Sequence, residues 1–318
     1  MTAAPAPAGV SLLTVDDPVL LKFASAVGSE GPVTVSGNRT RWDLGGALAE
    51  GTRILQAPAG MVAYSPEEMT AQVRAGTSVA DFHAELAAKG QRSALPERGG
   101  TVGGAIAVGH NAVSSLGRGR IRTSVLQVRY ISADGRVVSG GGPTVKNVTG
   151  FDIPRLMVGS LGTLGLLVEV IIRTNPIPAV SQWLRSDDAD PFAVPDTVLK
   201  PSAILWDGSA TWVQLEGHGV DVEAERNRLA AIGSFAETNA PPALHNHRWS
   251  LPPADLRAID RDAAGAFVAS IGTGTLWAEK PAPHRTVSPA VEVITNRMKA
   301  EFDPSGRLNP GRSVTAAQ

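Results

Sequence analysis

The chain has 318 residues, 43% of them hydrophobic and 19% charged, which is the profile of a globular protein long enough for about two domains. Lys+Arg (29) and Asp+Glu (30) nearly cancel, so no broad basic face argues for nucleic acid. The absence of cysteine excludes disulfides, thiolate metal sites, iron–sulfur ligation and cysteine nucleophiles.

The first fifteen residues, Ala- and Pro-rich with neither a basic start nor a sustained apolar core, read as a disordered leader rather than a secretory signal. Asp16 to Gly31 carries apolar residues at helical spacing and ends on glycine, which predicts a helix. PVTVSG then predicts a short β-branched strand running into a turn. Thr70–Arg74 reads as a strand. A glycine turn and a helix follow, capped near Thr77 or Ser78 with Asp81 as the capping carboxylate. SVLQVRYISADGRVVSGG predicts two strands joined at Asp-Gly.

The stretch from Val145 to Val170 is largely apolar but is interrupted by Gly150, Gly159, Gly162 and Gly165, and it ends as a buried strand. The longest uncharged apolar run, between Arg155 and Glu169, falls short of the roughly 20 residues a membrane-spanning helix needs, so a cytoplasmic location is expected. After Pro176 tryptophans and Pro clusters become common, which puts a domain boundary near Asn175 to Pro178. Strands and helices mix without regular alternation, so the expected fold class is α+β.

No G-x-G-x-x-G, P-loop, H-E-x-x-H or G-x-S-x-G pattern occurs. There are instead three separated Gly-rich loops. In SGNRTR (Ser36, Gly37, Asn38, Arg39, Thr40, Arg41), Gly and Asn tolerate left-handed backbone, so that successive N–H groups can form an anion nest beside two arginines. GGTVGGAIAVG (Gly99 to Gly109) suits backbone packed against a flat ligand, and GSLGTLGLLVEV puts glycine where backbone must approach something closely. Each loop alone fits an ordinary turn or tight packing equally well.

In this order, and with RMKAEFDPSGRLNPGR near the end, the loops resemble the FAD-binding domain of the vanillyl-alcohol oxidase and para-cresol methylhydroxylase superfamily. Within it the chain looks most like the FAD-binding subunit of bacterial glycolate oxidase. The resemblance is dense over residues 16–176, the expected FAD-binding domain with its two subdomains. It thins over a shortened α+β cap (177–296) and returns at 297–318, a helix and turn that lead back to the FAD site. It implies that Ser36 to Arg41 hold the pyrophosphate and that Thr101, Val102, Gly103 and Gly104 flank the cofactor. It further implies that the main chain at Gly165 and Leu166 touches the cofactor and that Asn309 returns to the flavin region.

The resemblance also implies oxidation of a 2-hydroxy acid such as glycolate, with a second flavoprotein subunit and an iron–sulfur electron-transfer subunit as partners. The alternatives are a non-catalytic FAD-binding subunit and a self-sufficient alcohol or sugar oxidase. In the cap, Arg248 is the candidate carboxylate clamp and His247 the candidate base. Surface or packing roles remain open for both. No metal site is assigned, since only His245 and His247 of the six histidines lie close together and no carboxylate accompanies them.

Many relatives carry a histidine in the first loop for covalent flavin attachment. This chain has none there and no cysteine anywhere, so a noncovalent FAD is expected. Acid precipitation of the flavin-loaded protein should therefore leave all of the yellow colour in the supernatant; flavin that stays with the pellet would show a covalent link.

Overall fold

The computed structural model describes residues 10–11, 17–143, 152–283 and 287–315. The chain forms two compact units, the first made of Met1–Ala112, Arg120–Pro176 and Val287–Ala317, the second of Val113–Gly119 and Ile177–Thr286. Most of the expected leader, Val145 to Gly150 and His284 lie outside the described residues. Val10 and Ser11 do not follow the expectation of a disordered leader. They pair antiparallel with Gly140 and Ser139, supplying an exposed strand edge with the backbone partners it lacks.

In the first unit, helix α1 (Pro18–Val27) starts at Asp17, whose carboxylate accepts from the N–H groups of Val19 and Leu20. It buries Leu20, Phe23, Ala24 and Val27, the face that the helical spacing predicts. Strand β1 (Val33–Ser36) runs parallel to β2 (Arg53–Gln56). Next come β3 (Met61–Ser65) and β4 (Thr70–Arg74), then α2 (Val79–Ala87), capped by Ser78 Oγ accepting from Asp81 N at 3.0 Å. After α3 (Val102–Val108), β5 (Val125–Ile131) and β6 (Val137–Gly141) form the expected hairpin, and β7 (Leu166–Arg173) closes the sheet. The order is Val10–Ser11, β6, β5, β7, β4, β3, antiparallel throughout.

The central position of β7 explains its unbroken apolar run. Leu166 and Val168 pack with α1 on one side, while Leu167, Val170 and Ile172 pack with α2 and α3 on the other. Glu169, the exception, is 2% exposed and lies between Arg74 and Arg129 at 3.0 and 2.8 Å, with Gln72 donating at 2.6 Å. Arg74 also pairs with Asp17, which ties the start of α1 to the sheet. Burial pushes the Asp17 carboxyl up, but the bonds from Arg74, Leu20 and Val19 outweigh it and hold the pKa below its ordinary value.

The glycines before β7 divide by role. Gly159 and Gly162 adopt left-handed backbone with φ of 85° and 72°. Gly165 is instead a packing glycine, because a Cβ there would sit 2.3 Å from Tyr130 Cδ2.

The second unit is a seven-stranded antiparallel sheet. Its strands in chain order are β8 (Val180–Ser186), β9 (Pro201–Trp206), β10 (Thr211–Gly217), β11 (Ala236–Thr238), β12 (His247–Ser250), β13 (Phe267–Ser270) and β14 (Thr275–Ala278). Across the sheet the order is β11, β8, β10, β9, β13, β14, β12. Helix α4 (Gly219–Leu229) covers one face through Val222 and Leu229. The other face carries Leu205, Trp212, Val268 and Trp277. Residues 113–119 join this unit through Ser114 Oγ, which donates to Gln214 Oε1 at 2.6 Å. Both units are α+β.

The chain then returns to the first unit as α5 (Pro289–Phe302), whose Met298 and Phe302 pack on its core. Lys299 Nζ donates to the carbonyls of Thr163 and Leu308 and to Asp303. Asp303, 2% exposed, accepts in turn from the N–H groups of Arg307 and Leu308. Arg307 is 5% exposed, and its guanidinium gives every one of its N–H groups to a backbone carbonyl, those of Val27, Gly28, Glu30, Gly31 and Ala133, at 2.9–3.0 Å. Leu308 then bridges to Val33 alongside β1, and Asn309 N donates to Val33 O at 2.8 Å. Arg307→Ala should strand these carbonyls and lower stability by about 3 kcal/mol or more. Arg307→Lys, with fewer donors, should lose an intermediate amount in thermal or urea denaturation.

Candidate functional site: a cleft in the first unit

Beside β1 lies a cleft with two overlapping parts that share Thr34, Gly37, Thr101, Gly104, Leu161 and Asn309. The outer part is cationic: among its described lining residues are Arg39, Arg41 and Arg312, and no carboxylate. The inner part has no charged residue among its described lining, which combines Ala57, Ala75, Gly76, Gly103, Leu166 and Leu167 with the polar Thr34, Ser36, Thr101 and Asn309. The cleft thus runs from a wall that suits anions to an uncharged wall.

Its backbone is unusual. Among the described residues, four non-glycine residues have left-handed φ, and three of them line the cleft: Arg39 (55°), Leu161 (52°) and Asn309 (48°). Such conformations cost of order 1–3 kcal/mol each and persist only where surrounding bonds enforce them. At Asn309 those bonds are evident. Its side-chain carbonyl accepts from Thr34 Oγ1 at 2.6 Å and its amide donates to Leu161 O, so one side chain joins β1, the loop before β7 and the C-terminal segment.

The first loop sits where its glycine has no room for a side chain. A Cβ on Gly37 would lie 2.3 Å from Thr101 Oγ1, which caps α3 by accepting from Gly104 N at 3.2 Å. Arg41 donates to Gly99 O at 3.2 Å, and burial, with the like charge of Arg98 second, pulls its pKa below the ordinary arginine value. A cation in that position is relieved by an anion. Ser36 is 2% exposed, and its hydroxyl has no protein partner among the described residues. A buried polar atom left in this way, in a residue lining the inner cleft, calls for a ligand or water.

The structure brings Ser36, Gly37, Asn38, Arg39, Thr40, Arg41, Thr101, Gly103, Gly104, Leu166 and Asn309 to this cleft. Two other expected contacts do not line it. Val102 is fully buried in the core between α3 and the sheet, and Gly165 packs against Tyr130. Gly103 serves packing as well, since a Cβ there would meet Ala75 Cβ at 2.7 Å. Sequence reading missed Trp42, Gly76, Leu161 and Arg312. The left-handed backbone at Leu161 has no signal in a leucine, whereas Arg312 was visible in LNPGR.

His247 and Arg248 are consecutive on β12 of the second unit, so their side chains leave opposite faces of the sheet. Arg248 pairs across to Trp277 and donates to Thr275 Oγ1 at 3.3 Å, while His247 is exposed at the strand's start. The structure does not bring them to one point. Trp249, between the two flanking strand positions, is buried and donates from its indole to Lys280 O. Among the described residues no group of three or more His, Cys, Asp or Glu is placed to hold a metal ion.

Comparison with known proteins agrees with this geometry. Residues 20–141 match the family model described as FAD binding domain. Glycolate oxidase subunit GlcE of Escherichia coli (strain K12) is 32% identical over 92% of this chain and 96% of its own length. D-lactate dehydrogenase of Archaeoglobus fulgidus is 42% identical over 24% of this chain and 17% of its own. The solved structure of alkyldihydroxyacetonephosphate synthase matches with a TM-score of 0.66 over 92% of this chain and 74% of that one. At 13% identity it speaks for the fold alone.

The family match and the full-length relative make this an FAD-dependent oxidoreductase with FAD as its cofactor, and its fold is of the vanillyl-alcohol oxidase type. More narrowly, the chain belongs to the family of FAD-linked proteins that includes glycolate oxidase subunit GlcE.

Gly37→Ala should push Thr101 off its cap and narrow the cleft. We expect a folded protein, destabilised by about 1–3 kcal/mol, that purifies with little or no flavin as judged by the ratio of visible to protein absorbance.

Proposed function

We propose that this chain oxidises a small 2-hydroxy acid, glycolate or D-lactate, with noncovalent FAD held in the cleft of the first unit. The observation that supports the cofactor half of this reading is the change along that cleft from an arginine-lined part to an uncharged part with small side chains. FAD has the same order of parts, an anionic pyrophosphate and a flat isoalloxazine. The relatives carry the substrate half, being named for glycolate and D-lactate oxidation.

Arg41, with Arg98 beside it, supplies positive charge for the pyrophosphate, and the backbone of Gly37 and Gly104 permits its close approach. Ser36 Oγ offers the cofactor a buried hydrogen-bonding partner. Ala75, Leu166 and Leu167 keep water from the ring system, and Asn309 fixes the strands on which this wall stands. FAD held there would supply the hydride acceptor, so the redox chemistry would be the cofactor's and the chain's work is to bind and orient.

Electrons then leave through partner proteins, a second flavoprotein subunit and an iron–sulfur subunit, in the cytoplasm. No helix of the described residues is long and apolar enough to cross a membrane, and the name of the relative GlcE describes a subunit.

A second reading, a cofactor-binding subunit whose partner performs the oxidation, is favoured by one observation. The two residues first considered for substrate, His247 and Arg248, face opposite sides of a sheet and cannot act jointly on one molecule. Anaerobic addition of glycolate or D-lactate to the purified flavoprotein separates the readings. Bleaching of the visible flavin bands is the expected result. Flavin that stays oxidised until a partner subunit is added would support the second reading, and a protein that takes up no FAD on reconstitution would overturn both.

A further inference from the structure

Trp42 lies against two guanidiniums: Arg39 Cζ is 5.0 Å and Arg312 Cζ 5.2 Å from its ring centroid. Both distances are within the range of a cation–π attraction. Arg39 belongs to the first loop and Arg312 to the segment after Asn309, and all three residues line the outer part of the cleft.

The two ends of this stack are held very differently. Arg312 is anchored, donating through Nη1 to Leu44 O at 2.8 Å and to Gly46 O. The segment around it is stitched to the same stretch, Ser313 N to Gly45 O at 2.8 Å and Ala49 N to Pro310 O at 3.0 Å. Gly311 is so close to that stretch that a Cβ on it would sit 2.3 Å from Ala47 O. The stretch from Asn38 to Asp43 is tied more weakly. Its bonds to the rest are long, Leu44 N to Arg41 O at 3.5 Å, Gly46 N to Asp43 O at 3.3 Å and Arg41 Nη2 to Gly99 O at 3.2 Å, and Asn38, Arg39, Thr40 and Asp43 are exposed. Few bonds, long bonds and exposure are the marks of a segment that opens locally while its surroundings stay folded.

We propose that Asn38–Asp43 is a flap over the outer cleft and that Trp42, seated on the anchored Arg312, is its catch, so that FAD enters and leaves only when the catch lets go. This rests on the reading of the cleft as the FAD site. The catch is built from protein groups alone. It therefore holds the flap shut whether or not FAD is inside, and weakening it must speed entry as well as exit. A residue that simply touches the cofactor would change exit alone.

The test is a pair of rates measured on the full chain. Apoprotein is mixed with FAD and flavin fluorescence is followed for entry; the loaded protein is diluted and fluorescence recovery gives exit. Trp42→Ala should raise both rates by about tenfold and leave the dissociation constant within about threefold of wild type. Arg312→Ala should raise entry likewise and exit further, because it also removes a cation from the cleft wall; entry in the double variant should be no faster than in the faster single one, and Trp42→Phe should fall between wild type and Trp42→Ala. Rates within twofold of wild type in Trp42→Ala and Trp42→Phe would overturn the catch. So would faster exit with unchanged entry, which would make Trp42 a cofactor contact. Wild-type protein that binds no FAD would overturn the cleft reading itself, and the catch with it.

Discussion

The site depends on the saturation of one buried guanidinium. Arg307 collects the carbonyls of Val27, Gly28, Glu30 and Gly31, where α1 has ended and leaves acceptors exposed, and adds Ala133 from the β5–β6 turn. Arg53 shares this work, donating to Ala26 and Val27. Two cations at a helix C-terminus are favoured by the helix dipole, and burial, followed by the charge of Arg53, lowers the pKa of Arg307. What these bonds hold in place is the start of β1 on one side and Leu308 and Asn309 on the other. The cleft lies just beyond both. The clamp thus works alongside the contacts of Leu308 and Asn309 with Val33 to hold the Thr34–Asn309 bond and the bond from Asn309 to Leu161.

The elements near the site follow from local rules that the sequence states openly. Ser78 and Asp81 announce the start of α2, Asp134-Gly135 announces the hairpin, and an alternation-free run from Leu166 announces a strand buried on both faces. The glycines were harder to read, because glycine reports only that a side chain is not tolerated and never what excludes it. Gly37 and Gly103 border the cleft as well as making room for Thr101 and Ala75, whereas Gly165 only makes room for Tyr130. Sequence could not separate these cases, since the excluding atoms come from elements tens of residues away.

Long-range polar contacts account for most of what was not legible. The carbonyls that Arg307 gathers lie more than a hundred residues upstream. Trp42 and Arg312 stand far apart in sequence and meet only once the C-terminal segment has docked along residues 44–49. The second unit was the least legible, since a sheet face is defined by register. His247 and Arg248 looked like a pair because they are adjacent in sequence, and adjacency in a strand is what separates them.

The first unit is assembled from three stretches of chain, the last of which begins only at residue 287. During synthesis, the strands and helices up to residue 176 are made well before Lys299, Asp303, Arg307 and Asn309 exist. Domains ordinarily fold in the order they are synthesised, but here the amino-terminal domain has to wait for the carboxyl-terminal residues to complete its wall. The wall of the candidate cleft is therefore among the last parts of the first unit to be made, and a break in the chain ahead of Lys299 would leave Thr34 and Leu161 without the Asn309 side chain that joins them.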